Sequence, residues 1–343
     1  MADDGRTARH PAVLAQQLPD NWVRCDLCAH RCRIPPGKSG ICAVRANHDG
    51  VLHTLVYGRA IAAHVDPMEK KPLYHFLPGS LIFSIATAGC NFHCDFCQNW
   101  DISQMARGEH GRIAGESFPP DQVIAAARRA GCGSIAYTYS EPTIFFEYAY
   151  DTAQLAHQAG LKNVFVTNGY QTPETIALMK GVIDAANVDL KAFREATYRA
   201  VCGARLQPVL DAIQLMHEAG IWIEVTTLVV PGQNDSAGEL RDIARFIASV
   251  SRDMPWHISR FHPDYKMLNV DATPRATLLR AAEIGQEEGL RYVYVGNLPG
   301  TGHEDTHCPA CRRVVIRRLG YSVRNDLKGD RCPHCGAQVT VIV

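Results

Sequence analysis

An α/β fold, built as an incomplete (β/α)6-type parallel barrel with small cysteine-rich metal-binding modules at its N- and C-terminal ends, is what this 343-residue sequence predicts. Two patterns carry that prediction. Between residues 81 and 297, short β-branched or aromatic runs alternate with longer amphipathic ones, the signature of right-handed βαβ units and a parallel sheet. Eleven of the 13 cysteines are grouped, with four near the start, three inside and four at the end. Six strand–helix units and a seventh strand can be counted, with no eighth, so a closed eightfold barrel is not expected. An open doubly wound sheet is the alternative, but no G-x-G-x-x-G turn follows the first strand.

In chain order, residues 1–20 are polar, carry Pro11 and Pro19 and show no period, which predicts a loosely ordered leader. Residues 21–80 form the cysteine-rich N-terminal module, 81–300 the partial barrel and 301–343 a zinc-ribbon-like module. Strand-like runs lie at 81–87, 134–139, 163–167, 186–190, 222–230, 256–262 and 291–296. Helix-like runs lie at 120–130, 144–159, 173–183, 208–219, 237–250 and 274–288.

Composition bounds the function classes. Apolar residues make up 46% and charged residues 20%, with 35 basic against 35 acidic side chains, an ordinary globular profile rather than that of a disordered chain or a globally basic nucleic-acid binder. The first twenty residues lack a signal-peptide core and no apolar run is long enough to span a bilayer, so a cytoplasmic protein with no membrane partner is expected. A reducing compartment keeps grouped cysteines as thiols, and such groups point to metal.

The segment 87–100, TAGCNFHCDFCQNW, sets Cys90, Cys94 and Cys97 at C-x3-C-x2-C directly after the first strand. Three thiolates on one loop hold three irons of a [4Fe-4S] cluster and leave the fourth iron open, whereas full ligation takes four. An open iron beside a reducing cluster is what the reductive cleavage of S-adenosylmethionine requires. A zinc loop completed by His93 or a distant ligand is the plainer alternative. The C-terminal set, Cys308, Cys311, Cys332 and Cys335, has the C-x2-C-x20-C-x2-C spacing of a structural zinc ribbon. The N-terminal set, Cys25, Cys28, Cys32 and Cys42, is spaced C-x2-C-x3-C-x9-C, which suits zinc or a second iron–sulfur cluster. Cys132 and Cys202 stand alone and read as buried apolar residues.

The three-cysteine motif, Phe96 before its last cysteine and the following Gln98, Asn99 and Trp100 resemble the radical S-adenosylmethionine superfamily. That resemblance implies Cys90, Cys94 and Cys97 as the catalytic, cluster-bearing residues and S-adenosylmethionine as the second cofactor. It continues downstream: Tyr139, Ser140, Glu141 and Pro142 stand where the family has Gly-Gly-Glu-Pro, and the Tyr-Ser departure leaves Glu141 as the firmer carry-over. Thr167, Asn168 and Gly169, then Asp189 and Lys191, then Val229 to Gly232, then His262, resemble segments of pyruvate formate-lyase activating enzymes. By that resemblance Phe96, Ser140, Glu141, Thr167, Asn168, Asp189, Lys191, Val229 and His262 are the cofactor-binding residues. Most of these positions also follow or finish successive strand-like runs, where sites on parallel barrels lie.

Over almost the whole length the sequence resembles the AmmeMemoRadiSam system radical enzymes, including DPMEKKPLYHFLPG at 66–79. Glu69, Lys70 and Lys71 there fit either a solvated turn or a lid over the cluster. The expected activity is formation of a 5'-deoxyadenosyl radical that takes hydrogen from an unidentified substrate. The alternatives are installation of a glycyl radical on a partner enzyme and a metal-bearing binding or electron-transfer module without such chemistry. The resemblance implies an external one-electron reductant such as flavodoxin or ferredoxin, with Memo-like and AMMECR-like proteins as partners. From 308 onward, six Arg and one Lys face two Asp, so this basic end is expected to dock or cap; phosphate contacts through Arg312, Arg313, Arg317 and Arg318 are the weaker reading.

Overall fold

In a computed structural model, the described residues are 10–107, 113–298 and 300–343. At its centre is an eight-stranded sheet. Strand β1 (Ala62–Pro67) runs antiparallel to β2 (Leu81–Ala86), and β3 (Ser134–Tyr137), β4 (Lys162–Thr167), β5 (Ala185–Asp189), β6 (Trp222–Val229), β7 (Trp256–Arg260) and β8 (Val293–Gly296) follow in parallel. Spatial order equals chain order, so each crossover steps one strand along and the C-terminal strand ends share one rim. All seven predicted parallel strands are present; β1 is an additional edge strand, and β1 and β8 are the two edges of the sheet.

The strands lie where the apolar runs are because both faces are covered. In β5, Ala185, Ala186, Asn187 and Val188 are all buried, which matches a parallel sheet under helices rather than one alternating with solvent. The helices are α1 (Pro120–Arg129), α2 (Phe146–Gln158), α3 (Pro173–Met179), α4 (Gln207–Glu218), α5 (Ala237–Val250) and α6 (Arg275–Glu287). Their starts follow local chemistry: Thr172 accepts from Thr175 N before α3, and Ser236 accepts from Glu239 N before α5. Proline occupies the first turn of α1, α3 and α4. Helix α2 starts at 146 rather than 144 because Pro142–Phe145 forms a 3-10 turn first, and α3 ends at Met179, two residues before Gly181 at φ 74°.

The expected loose leader is corrected for residues 10–20; residues 1–9 lie outside the described residues. His10–Pro11 pairs with His53 and Thr54, and Ala15–Gln17 pairs with Val23–Cys25. Residues 10–54 thus form two small three-stranded sheets, and polar sequence without a period was a poor guide to edge strands only two or three residues long. This module docks on the rim through a buried ion pair, Arg45 Nη1 to Glu147 Oε2 at 2.8 Å, and through Thr172 and Thr175 hydroxyls donating to Asp26 and Leu27 carbonyls.

At the other end, Thr306–His307, Val314–Leu319 and Ser322–Asn325 make a three-stranded antiparallel sheet. Its apolar face packs on Tyr74, Tyr292 and Tyr294, and Ile342 exchanges backbone hydrogen bonds with His75 and Leu77. Arg318, one of the four arginines that the weaker, phosphate-contact reading would use, is buried: it donates to Thr306 Oγ1, to Tyr74 O and to Glu69. Among the described residues no helix is long and apolar enough to cross a membrane.

Candidate active site

The loop after β2 carries Cys90, Cys94 and Cys97 into a cavity of about 630 Å³ on the rim. Phe92 anchors the loop as a fully buried ring, edge-on to Tyr170 at 5.0 Å. His93 N and Asp95 N donate to Cys202 O and Val201 O, and Arg107 donates to the carbonyls of Cys90, Phe92 and Ile41. Burial raises the Cys90 and Cys97 thiols, and a hydrogen bond with Cys202 together with burial raises Cys94 well above its ordinary value. Coordination to a cation is what makes such thiols release their protons.

Glu141 lies on the floor of the same cavity. Its Oε1 accepts from Thr143 N at 3.0 Å, Thr143 Oγ1 at 2.5 Å and Thr167 Oγ1 at 2.7 Å, while among the described residues Oε2 accepts only from Asn168 N at 2.8 Å. Four donors on a carboxylate with about four lone-pair sites would saturate it only if evenly shared, so Oε2 keeps one lone pair free. Burial raises the carboxyl above its usual value and those donors oppose the shift. Ser140 Oγ, also on the cavity wall, is buried without a partner, a cost sustained most simply by a ligand that pairs with it.

Tyr139 explains the departure from Gly-Gly. Its φ is 61°, the left-handed region that favours glycine. Its hydroxyl donates to Asp66, and the Lys71 ammonium sits 4.3 Å from its ring centre. Lys71 is itself buried and paired with Asp66 at 2.7 Å, and Glu69 is buried too, so within the 69–71 turn Lys70 alone is exposed to solvent. Burial works to raise the Asp66 carboxyl, but bonds from Lys70, Lys71 and Tyr139 hold it well below the usual range.

Across the cavity, Lys191 Nζ pairs with Asp189 Oδ2 at 3.0 Å and stands 5.7 Å from the Phe96 ring centre. Burial disfavours that ammonium, but the Asp189 carboxylate beside it holds it charged, above its ordinary value. Of the nine residues expected to bind cofactor, Phe96, Ser140, Glu141, Thr167, Asn168, Asp189 and Lys191 line the cavity. Val229 and His262 do not. Val229 is buried with its carbonyl accepting from Thr273, and Leu228 lines the cavity in its place. His262 is exposed and pairs with Gln98 at 3.0 Å.

Sequence reasoning missed several lining residues. Thr226 and Leu228 share one face of β6, and the two-residue period there would have marked them. Glu304, Gly320 and Tyr321 reach the cavity from the C-terminal module, which no local pattern announces. Cys202 was read as a buried apolar residue; it is buried and also neighbours Cys94.

The flanking sets differ from each other. Cys308, Cys311, Cys332 and Cys335 put all four sulfurs within 4.8 Å of one another, with Cys308–Cys335 and Cys311–Cys332 at 3.6 and 3.7 Å. Those edges approximate a tetrahedron around one ion with bonds of about 2.3 Å. Cys25, Cys28, Cys32 and Cys42 line a second, small cavity together with Arg45 and Asn91.

The chain is similar to several known proteins. An uncharacterized protein of Methanocaldococcus jannaschii is 41% identical over 336 residues, 97% of this chain and 99% of that one. The benzylsuccinate synthase activating enzyme of Thauera aromatica is 23% identical over 265 residues, 71% of this chain and 77% of that one. The solved domain of a pyruvate-formate lyase-activating enzyme from Bacteroides vulgatus aligns at 18% identity with a TM-score of 0.43, covering 48% of this chain and 99% of that one. A family model of the Radical SAM superfamily matches residues 84–247, from β2 into α5. Residues 84–247 of this chain are a domain of the Radical SAM superfamily.

Proposed function

We propose that the large cavity binds S-adenosylmethionine against a [4Fe-4S] cluster held by Cys90, Cys94 and Cys97, in a partial barrel capped by its C-terminal module. The observation that carries this reading is one cavity lined by three thiols from one loop, a buried carboxylate with a free lone pair and a buried hydroxyl with no partner. When bound, the cluster supplies the electron that splits S-adenosylmethionine into methionine and a 5'-deoxyadenosyl radical able to take hydrogen from a substrate.

The chain's own residues select and orient the ligand. Glu141 Oε2 receives the ligand's ammonium, a charge-assisted hydrogen bond that restores the ionised form burial opposes. Ser140 Oγ pairs with a polar group of the ligand. Asp189 spends Oδ2 on Lys191 and keeps Oδ1 for a ribose hydroxyl. The Glu69–Pro72 turn and Gly320–Tyr321 form the outer wall, where they exclude water and meet the substrate. A ferredoxin or flavodoxin supplies the electron, and zinc in the C-terminal four-thiolate site staples the capping module. The substrate is the remaining unknown. Installation of a glycyl radical on a partner enzyme is the second reading, supported by relatives with activating-enzyme names. The AmmeMemoRadiSam resemblance supports Memo-like and AMMECR-like proteins as companions.

Low-temperature spin-resonance spectra of the reconstituted, reduced protein test the first reading. Added S-adenosylmethionine is expected to change the reduced-cluster signal; a signal that ligand leaves unchanged contradicts it. A glycine-centred radical appearing on a co-incubated partner would select the second.

A further inference from the structure

We propose that Cys25, Cys28, Cys32 and Cys42 hold a second cluster, of the [4Fe-4S] type, in the N-terminal module. These thiols come from four separate turns and strands, yet all four face one small cavity walled by Leu27, Ile34, Ile41 and Ile144. The backbone fixes them: Cys25 N donates to Cys32 O at 2.9 Å, and Cys28 bridges to Gln171 on the rim. None of the four lines the large cavity, so the site is additional to the one described above.

Spacing distinguishes the metal. The C-terminal sulfurs close to within 4.8 Å of one another, as a single tetrahedral ion requires, whereas among the described residues no three of the N-terminal sulfurs do so. A cubane of four irons sets its thiolates further apart and takes four of them. Two buried donors with no other use stand on the same cavity wall. Arg45, 2% exposed, spends Nη1 on Glu147 and Nη2 on Val13 O, and its Nε–H has no partner. Asn91, 1% exposed, likewise has no partner for its Nδ2. Hydrogen bonds from such groups to cluster sulfur are one of the means by which proteins set cluster potential.

The placement is also specific. Cys42 O lies 3.2 Å and Val44 Cγ1 2.8 Å from where a Cβ on Gly89 would stand, so only glycine lets the two cysteine loops approach. Asn91, next to Cys90, pairs through its carbonyl with His30 Nε2 at 2.9 Å, and Arg107 ties Ile41 O to Cys90 O. The second cluster therefore abuts the loop that bears the first.

The test uses the full chain with Cys90→Ala, Cys94→Ala and Cys97→Ala, reconstituted anaerobically with iron and sulfide and then desalted. About four iron and four sulfide per chain should remain, with a Mössbauer spectrum of a [4Fe-4S] cluster, and adding Cys28→Ala with Cys42→Ala should remove them. A triple variant with native circular dichroism that holds no iron and sulfide overturns the proposal, as does zinc lost on adding Cys28→Ala with Cys42→Ala. Should the variants fail to fold, the unsubstituted protein decides: about eight iron per chain supports the second cluster, and about four overturns it. Neither count depends on S-adenosylmethionine, so failure here leaves the reading of the large cavity standing.

Discussion

Glu141 and Tyr139 show how single residues set the site. Because Glu141 Oε1 is saturated and Oε2 is not, the carboxylate can take one further donor without losing its supports. Glu141→Gln keeps the shape but removes the charge and replaces a lone pair with donors. We expect S-adenosylmethionine affinity to fall roughly 10–100-fold, the equivalent of about 1.5–3 kcal/mol for a charged hydrogen bond, while iron content is unchanged. Isothermal titration beside an iron assay checks both; iron loss in that variant would move Glu141 from ligand to cluster support. At Tyr139 the positive φ is held by the hydroxyl bond to Asp66 and by Lys71 over the ring. Tyr139→Phe should cost roughly 1 kcal/mol in denaturant unfolding, since Asp66 keeps both lysines, and an unchanged midpoint would remove the hydroxyl from that account.

At the scale of elements, the 68–77 strap joins the central sheet to the C-terminal three-stranded sheet. Glu224 on β6 accepts from the backbone of Tyr74 and His75 at 2.9 and 2.7 Å and pairs with His257 at 2.6 Å. His75 contacts Thr340 O and the Tyr294 hydroxyl, and burial pushes its imidazole from 6.5 down to about 4. The unfolded chain therefore binds a proton between those values that the folded chain does not. That contribution to stability is fully present above pH 6.5 and is lost as pH falls through about 4, by roughly 3 kcal/mol in all. Unfolding midpoints at pH 7.5 and 4.5 check this, and His75→Gln should flatten the difference; an equal slope in that variant would assign the loss to other groups. The same scale shows why much of the fold was legible. The seven parallel strands announced themselves because apolar runs buried on both faces leave a signal in sequence, and α5 matched residue for residue because a Ser cap and a full amphipathic period define it. Antiparallel β1, with Ala63, His64 and Val65 exposed, and the two-residue strand at 10–11 leave no such signal. Of the expected site residues, the three cysteines and Glu141, singled out by spacing and resemblance, line the large cavity, whereas Val229 does not, because the parity of β6 that places Thr226 and Leu228 on the cavity side turns it away.

At the scale of the whole molecule, the three cysteine groups occupy three separate places. The central loop faces the large cavity, the N-terminal set lines the small cavity beside that loop, and the C-terminal set clusters in the module whose Gly320 and Tyr321 line the large cavity. With zinc in the C-terminal four-cysteine site, as proposed, stripping it with a chelator should loosen the 306–325 sheet first, because a sheet of this size would depend on that staple. Faster hydrogen exchange over 306–325 than over β2–β7 is the expected outcome, and uniform exchange would make the ribbon part of one cooperative unit. The central claim, that the cavity beside Cys90, Cys94 and Cys97 performs reductive cleavage of S-adenosylmethionine, is tested most directly by measuring 5'-deoxyadenosine from the reconstituted, reduced protein. Formation by the unsubstituted chain, abolished in a folded Cys94→Ser variant and retained in part by Cys311→Ser, is the predicted result. Iron-loaded protein that forms none, or a Cys94→Ser variant that forms as much as the unsubstituted chain, would contradict it.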